Sequence, residues 1–510
     1  MKLGIDYGTT RIVAAYPDRG NYPIVQFPDL QGDVRPYLPS VIAADGSRLL
    51  FGFEAEAAAR RGAPVLRSFK RLLAGVESGY TNPLRLGEVE TTVYELFVAQ
   101  ARAVRARLIE ELGTDDFDVT LAVPAHAFTM QRLLTMDAFA EAGFTVRELL
   151  NEPSASGIEY AHRYSSTISS RRTRVLVFDF GGGTFDASIV DISGRDHTVL
   201  ATRGDNSLGG EDLDAAIIEV ALAEAGLSPE DLSDSASYDL YEQSRAAKES
   251  LVPQSRRIVL ELEGDAVVLP VERIYEATEP IIERTLRTIA PLLEPIDRAD
   301  SIVSASAPGA LGADIAGLYL VGGASQFPAI GRSLRETFGR RVRRSHYPAA
   351  STAIGLAIAA DPDAGVRVRD QLSRGVGVFR EDHEGRSVTF DPLLAPDTPS
   401  GVVATRRYRP AHNVGHYRFV EYTRIDPDGV PRGEVRPLAQ VLMPFSRELQ
   451  ERYAPNDAVA AHELRRVEVT PAWCDSEVEE TYTIDEAGIV RVQVRDLSTG
   501  YEVRGQFNRG

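Results

Sequence analysis

The sequence predicts an α/β domain over residues 1–362 and a smaller β-rich domain over 375–510. Three observations carry this reading. Strand-like and helix-like segments alternate through residue 360. Two short runs, GIDYGTT at 4–10 and DFGGGTFD at 179–186, each set an Asp beside a glycine turn followed by Thr. After Asp361-Pro362-Asp363 the texture changes to short segments of alternating polarity.

The elements follow in order. Residues 3–5 and 12–16 read as strands flanking the first glycine turn. Residues 84–112 are rich in Ala, Leu and Glu at helical spacing. Residues 119–123 form a buried strand ending at Pro124, 129–142 a helix and 145–149 a strand. Asn151-Glu152-Pro153 opens the next helix, with the proline suited to its first turn. Residues 175–178 and 185–192 flank the second glycine turn as strands. A double-glycine turn over 205–214 leads into a helix, and 240–250 form another. Residues 257–262 and 266–270 pair as a hairpin, 274–295 form a long helix, and 317–321 a strand closing on Gly322-Gly323. Helices over 328–338 and 348–360 complete the domain. Beyond it, 417–422, 465–469, 478–484 and 489–494 read as strands, the last two joined by the turn Asp485-Glu486-Ala487-Gly488. The segment 396–416, rich in Pro, Arg and His, reads as a solvated loop.

Composition narrows the function classes. A net charge of -18 and a pI near 5.1 argue against nucleic-acid or anionic-membrane partners. The single cysteine, Cys474, excludes an intrachain disulfide and favours a reducing compartment. With scattered histidines, it also leaves no zinc-type cluster. The start of the chain carries no leader pattern and no apolar run is long enough to span a membrane, so a soluble cytoplasmic protein is expected. Lysine occurs only at positions 2, 70 and 248, which makes each of them diagnostic.

The glycine turns carry the chemistry. Glycines after a strand let backbone N–H groups approach phosphate oxygens without a Cβ in the way. Gly8-Thr9-Thr10 and Gly181-Gly182-Gly183-Thr184 suit that role, and the threonine hydroxyls add donors. Asp6, Asp179 and Asp186 offer oxygens to Mg²⁺ or to its waters. No GxxxxGK[ST] and no GxGxxG occurs, so neither a P-loop nor a dinucleotide fingerprint is present.

The chain resembles the seventy-kilodalton heat-shock protein (DnaK-type) family. To the two loops it adds FKRLLAG at 69, VPAHAFTMQR at 123, NEPSASGIEYAH at 151, GDNSLGGEDLD at 204 and LVGGASQFPAI at 320. These stand in the family's order across most of 1–360. VEETYTIDEAGIVRVQVRDLSTG at 478–500 is similar to the closing hairpin of the family's peptide-binding domain. The resemblance implies an actin-like (ribonuclease H-like) two-lobed ATPase domain, with lobes over 1–172 and 173–362. It further implies a linker over 363–374 and a small β-sandwich-like domain over 375–510. ATP or ADP and Mg²⁺ are the implied cofactors.

By this resemblance Lys70 contacts the transferred phosphate, Glu152 and Asp179 hold metal and water, and Asp186 orients the attacking water. Asp6 lies under the metal. Gly209, Gly210 and Glu211 form the turn beside the phosphates, Lys248 contacts adenosine, and Gly322 and Gly323 lie against it. Pro124 and Arg132 match a proline switch and its arginine relay.

Several positions depart from the pattern. Arg11 replaces an asparagine, Arg245 stands where an acid would hold the ribose, and Val252 replaces a hydroxyl on the base side. Glu249 and Gln326 stand where arginines pack the adenine, and glutamate offers no stacking face. Pro348-Ala349-Ala350-Ser351 loses two carboxylates, and His126-Ala127 replaces an aromatic pair. The linker carries Arg367 and Arg369 where the family is leucine-rich, so it is expected to join a sheet edge less readily. The chain ends at Gly510 without the family's helical lid, so peptide exchange is expected to be fast.

The phosphate end is complete, the base end altered and the coupling reduced. The first reading is a slow, lidless, chaperone-like ATPase that binds polypeptide clients through its β domain, with a co-chaperone as a further partner. The alternative is a nucleotide-dependent switch or scaffold for one dedicated partner, with weak or no hydrolysis. A metabolic kinase is disfavoured because no sugar-binding insert is evident.

Overall fold

A computed structural model describes residues 1–75, 79–262, 264–293, 311–382, 387–471 and 477–505. The chain divides into two compact units. The first comprises Met1–Gly75, Pro83–His126 and Met136–Val368, and the second Val76–Asn82, Ala127–Thr135 and Arg369–Gly510.

Two mixed sheets organise the first unit. One has the strand order Thr145–Asn151, Asp118–Val123, Lys2–Tyr7, Arg11–Ala15, Leu38–Pro39. The other runs Val342–Arg344, Ile315–Val321, Arg174–Phe180, Phe185–Ser193, Asp196–Asp205, Arg367–Arg369. The same local device appears in each. A strand opening on a cation runs through buried, mostly apolar residues to an Asp and one aromatic residue, turns on glycine and returns antiparallel. Its other neighbour is parallel.

Small residues let backbone pack on backbone where these sheets are covered. The helix Ser351–Ala360 (STAIGLAIAA) is buried along nearly its whole length. A Cβ at Gly355 would stand 1.8 Å from the Ala155 carbonyl oxygen in the helix Glu152–Arg163. One at Gly4 would stand 2.3 Å from the Ala357 nitrogen. Only glycine permits these two approaches, and both fix the strand that delivers Asp6.

Some elements differ from the sequence reading. Residues 84–92 are not helical. Pro83–Leu86 and Val89–Thr92 form a hairpin about Gly87, whose φ of 58° suits glycine. The helix begins at Val93 because Thr92 and Glu95 close a capping box: Glu95 N–H donates to Thr92 Oγ1 (3.1 Å) and Thr92 N–H to the Glu95 carboxylate (2.9 Å). The linker arginines do not keep it from a sheet edge. Arg367 N–H donates to the Arg195 carbonyl (2.8 Å), and its guanidinium forks onto Asp196 (2.7 and 2.9 Å), which neutralises the charge.

The second unit stacks two antiparallel four-stranded sheets. One orders Ser387–Leu394, Gly375–Asp382, Val414–Ile425, Pro431–Pro444, and the other Val403–Tyr408, Val478–Ile484, Val490–Asp496, Glu502–Arg504. Val376, Phe419 and Met443 from the first share a core with Val478, Tyr482 and Val494 from the second. A charged knot sits among them. Fully buried Glu480 accepts both Arg380 Nη groups (2.9 and 2.7 Å) and the hydroxyls of Tyr408 and Tyr482.

Residues 465–469 are not a strand. Asp457 caps a short helix, Ala458–Leu464, by accepting the Val459 N–H (2.9 Å), and Arg465 closes it. Part of 396–416, expected as a loop, is the strand Val403–Tyr408, held by its ladder with Val478–Ile484. Trp473, Cys474 and residues 294–295 lie outside the described residues. Among the described residues no helix is long and apolar enough to cross a membrane.

The glycine contacts yield a prediction. Gly355→Ala should lower the stability of the first unit by about 1–3 kcal/mol or more, read from urea or thermal unfolding of the full chain. A neutral result would mean that the two helices can separate without cost.

Candidate functional site

The two glycine turns meet. In the first, Gly8 N–H donates to the Arg11 carbonyl (3.0 Å); in the second, Gly181 N–H donates to the Thr184 carbonyl (3.0 Å). A Cβ at Gly182 would come 2.6 Å from Thr10 Oγ1, and one at Gly183 2.5 Å from Thr9 Cγ2. The loops are therefore in van der Waals contact, and side chains there would drive them apart.

Two further glycine turns close on them. Gly210 N–H donates to the Gly181 carbonyl (2.9 Å) and Glu211 N–H to that of Gly182 (2.8 Å). Those two amides lock the second turn in place. A Cβ at Gly209 would lie 2.4 Å from the Gly182 oxygen, and one at Gly322 (φ 80°) 2.3 Å from the Phe180 oxygen. Gly322 N–H is held by the Pro348 carbonyl (2.8 Å).

These turns wall a cleft whose lining includes Asp6, Gly8, Thr9, Thr10, Lys70, Glu152, Asp179, Gly181, Gly182, Thr184, Gly210, Glu211, Lys248, Gly322 and Gly323. Gly183, Gly209 and Asp186 from the sequence-predicted set are not part of that lining. Lys248 does line it, but its ammonium is held by Asp214 (2.7 Å) and the Gly210 carbonyl (2.8 Å). Burial pushes the Asp214 carboxyl up to about 6, and Lys248 pulls against that. Pro124 follows its strand in the first unit. Arg132 belongs to the second, buried, donating to the Ala487 carbonyl (3.0 Å).

The floor is a cluster of buried charge. Lys70, on the helix Phe69–Gly75, donates to Glu152, the first residue of the helix Glu152–Arg163. Burial alone would push the ammonium down, but Glu152, Asp6 and Asp186 outweigh it and hold Lys70 above its ordinary range. The carboxyls go the other way. Burial and then Glu152 push Asp6 up to about 7 and Asp186 up to about 8, in both cases against Lys70. Burial, Glu152, Asp6 and Asp186 together raise Asp179 well above the carboxylate range.

One ammonium cannot neutralise four carboxylates, so the floor suits an added cation with its water shell. Among the described residues no three His, Cys, Asp or Glu side chains converge as a metal-ligand set. A cation bound here would therefore have to draw most of its ligands from water or from a bound anion.

Sequence reasoning missed Arg71, and it named Arg11, Arg245 and Glu249 without their ion pairs. Arg71, beside Lys70, donates to the Gly183 carbonyl (3.0 and 2.7 Å) and pairs with Glu211 (3.3 Å). Arg11 pairs with Glu249 (2.5 Å), and Arg245 with Glu242 (3.0 Å) and Glu56 (3.5 Å). The signal was in the sequence: Arg11 and Glu249 both depart from the family pattern, with opposite signs.

The raised carboxyls set a pH dependence. Folded Asp186 holds a proton up to about 8, whereas the unfolded group releases it near 3.8. Its contribution therefore destabilises the ligand-free fold progressively as pH rises from about 4 to 8. Asp186→Asn should raise the melting temperature of the ligand-free chain by about 2–4 °C at pH 8. The gain should shrink toward pH 4, and a constant gain across this range would contradict the assignment.

Comparison with known proteins places the chain. The Hsp70 protein family profile matches residues 97–376. The chaperone protein HscA homolog of Burkholderia pseudomallei is 33% identical over 389 residues, 72% of this chain and 59% of that protein. The HscA homolog of Methylococcus capsulatus is 32% identical over 389 residues, with the same coverage. The chain thus spans 59% of the length of these relatives. An α/β nucleotide-binding domain followed by a small β-sheet-rich domain, with this profile match, means that the chain belongs to the Hsp70 family.

Proposed function

We propose that the chain binds Mg²⁺-ATP in this cleft, hydrolyses it slowly to ADP and phosphate, and binds polypeptide through its β-rich domain. The observation that carries the reading is the floor: four buried carboxylates around one ammonium, roofed by two glycine turns in contact. On this reading 1–362 is an actin-like ATPase domain with lobes over 1–172 and 173–362. Residues 363–374 link it to a β-sandwich over 375–510 that binds clients.

Each residue has a task. Thr9, Thr10 and the turn Gly181-Gly182-Gly183-Thr184 seat the phosphates with backbone N–H groups and hydroxyls. Asp6, Asp179 and Asp186 hold the waters of Mg²⁺, which when bound screens charge on the phosphate oxygens. Lys70 places its ammonium where charge develops on the transferred phosphoryl group. Asp186 orients the attacking water, with Glu152 fixing Lys70 in place. Gly209, Gly210 and Glu211 brace the second turn, and Lys248 with Gly322 and Gly323 borders the nucleoside. Slow turnover suits a protein whose nucleotide state must outlast a partner's visit.

ATP turnover of the full chain, with and without unfolded polypeptides, tests this. Turnover should be slow, rise with several unrelated peptides, and fall about a hundredfold or more in Lys70→Ala. Because that variant leaves Glu152 buried without its cation, its melting temperature must be compared in parallel. Nucleotide binding with no peptide response would favour a switch serving one dedicated partner. Phosphorylation of a small metabolite would overturn both readings.

A further inference from the structure

The cleft has a direction. Its floor, at Lys70 and the carboxylates, is buried, whereas the Arg11–Glu249 pair has side chains 20% and 43% exposed. Both residues line the same cleft. A nucleotide whose phosphates reach the floor must leave its base near that mouth. Glutamate at 249 offers the base no flat surface, but its partner does.

We infer that Arg11 is the base-stacking residue of this cleft and that Glu249 positions it. The inference rests on the nucleotide reading above. Arg11 opens the strand Arg11–Ala15, and its carbonyl accepts the Gly8 N–H (3.0 Å), so its backbone is tied to the phosphate turn. Its Nη2 donates to both carboxylate oxygens of Glu249 (2.6 and 2.5 Å). The Tyr37 ring lies 4.4 Å from its Cζ and covers one side of the guanidinium. A planar cation held by a carboxylate and backed by an aromatic ring has lost most of its rotamer freedom before a ligand arrives.

The wall formed by Gly322, Gly323 and Ala324 is low. A Cβ placed on Gly323 would make only an ordinary contact, with Ala349 Cβ at 3.8 Å, so no side chain crowds the cleft at this wall. The ligand class this suits is a nucleoside di- or triphosphate whose base stacks on the arginine plane.

Titration of the full chain with ADP and, separately, with inorganic tripolyphosphate tests the assignment. Arg11→Ala should weaken ADP binding about tenfold, in the range of one lost base stack, and change tripolyphosphate binding less than twofold. Arg11→Lys, which keeps the charge and loses the plane, should behave like Arg11→Ala. Glu249→Gln should give a smaller loss, confined to ADP. Melting curves establish that each variant is folded. Unchanged ADP affinity in Arg11→Ala, full rescue by lysine, or an equal loss for tripolyphosphate would each overturn the stacking role. If the parent chain itself binds tripolyphosphate and ADP equally, the base has no site and this inference fails while the phosphate site stands. If it binds neither, the nucleotide reading fails with it.

Discussion

The buried ammonium of Lys70 organises the floor of the first unit's cleft. Lys70 meets Glu152 directly and feels Asp6 and Asp186, so two helices and two sheets converge on one positive charge. Removing several carboxylates from water is costly, and one cation offsets only part of that cost. The remainder appears as protons retained by Asp6, Asp179 and Asp186. A cation entering this floor would therefore displace protons, as at many metal-dependent sites.

The floor needs walls that approach closely, and glycine supplies them. Contact between Gly182 and Thr10, and between Gly183 and Thr9, brings the ends of two separate sheets together. The same economy of side chains holds farther back, where Gly4 and Gly355 let the helix Ser351–Ala360 lie directly on its neighbours. Site and scaffold share one packing rule: backbone meets backbone wherever Asp6 and Asp179 must be held in place.

Much of this was legible in the sequence. The glycine turns could be read because an apolar strand, an Asp, glycine and Thr recur together in both runs. Strands such as Lys2–Tyr7 and Arg174–Phe180 were clear from continuous apolar runs bounded by turns. The hairpin at Pro83–Thr92 was hidden because its residues merge with the helical composition after it. The helix Ala458–Leu464 was hidden because it is short and set by an Asp cap. Long-range pairs such as Arg11 with Glu249 and Arg71 with Glu211 depend on where the chain returns, which local periodicity does not encode. The charged linker was misjudged for the same reason, since Asp196 awaited it on another strand.

The scarcity of lysine has a consequence for how this protein can be modified and probed. Of its three lysines, Lys2 is exposed, whereas Lys70 and Lys248 are buried with their ammonium groups engaged by carboxylates. Nearly all surface cations are arginines, which are inert to acylation at neutral pH. Acetylating or ubiquitin-transferring enzymes thus find little purchase along most of the surface. Amine-selective reagents would label Lys2 readily and the two buried, ion-paired lysines slowly, so slow labelling reports directly on the cleft.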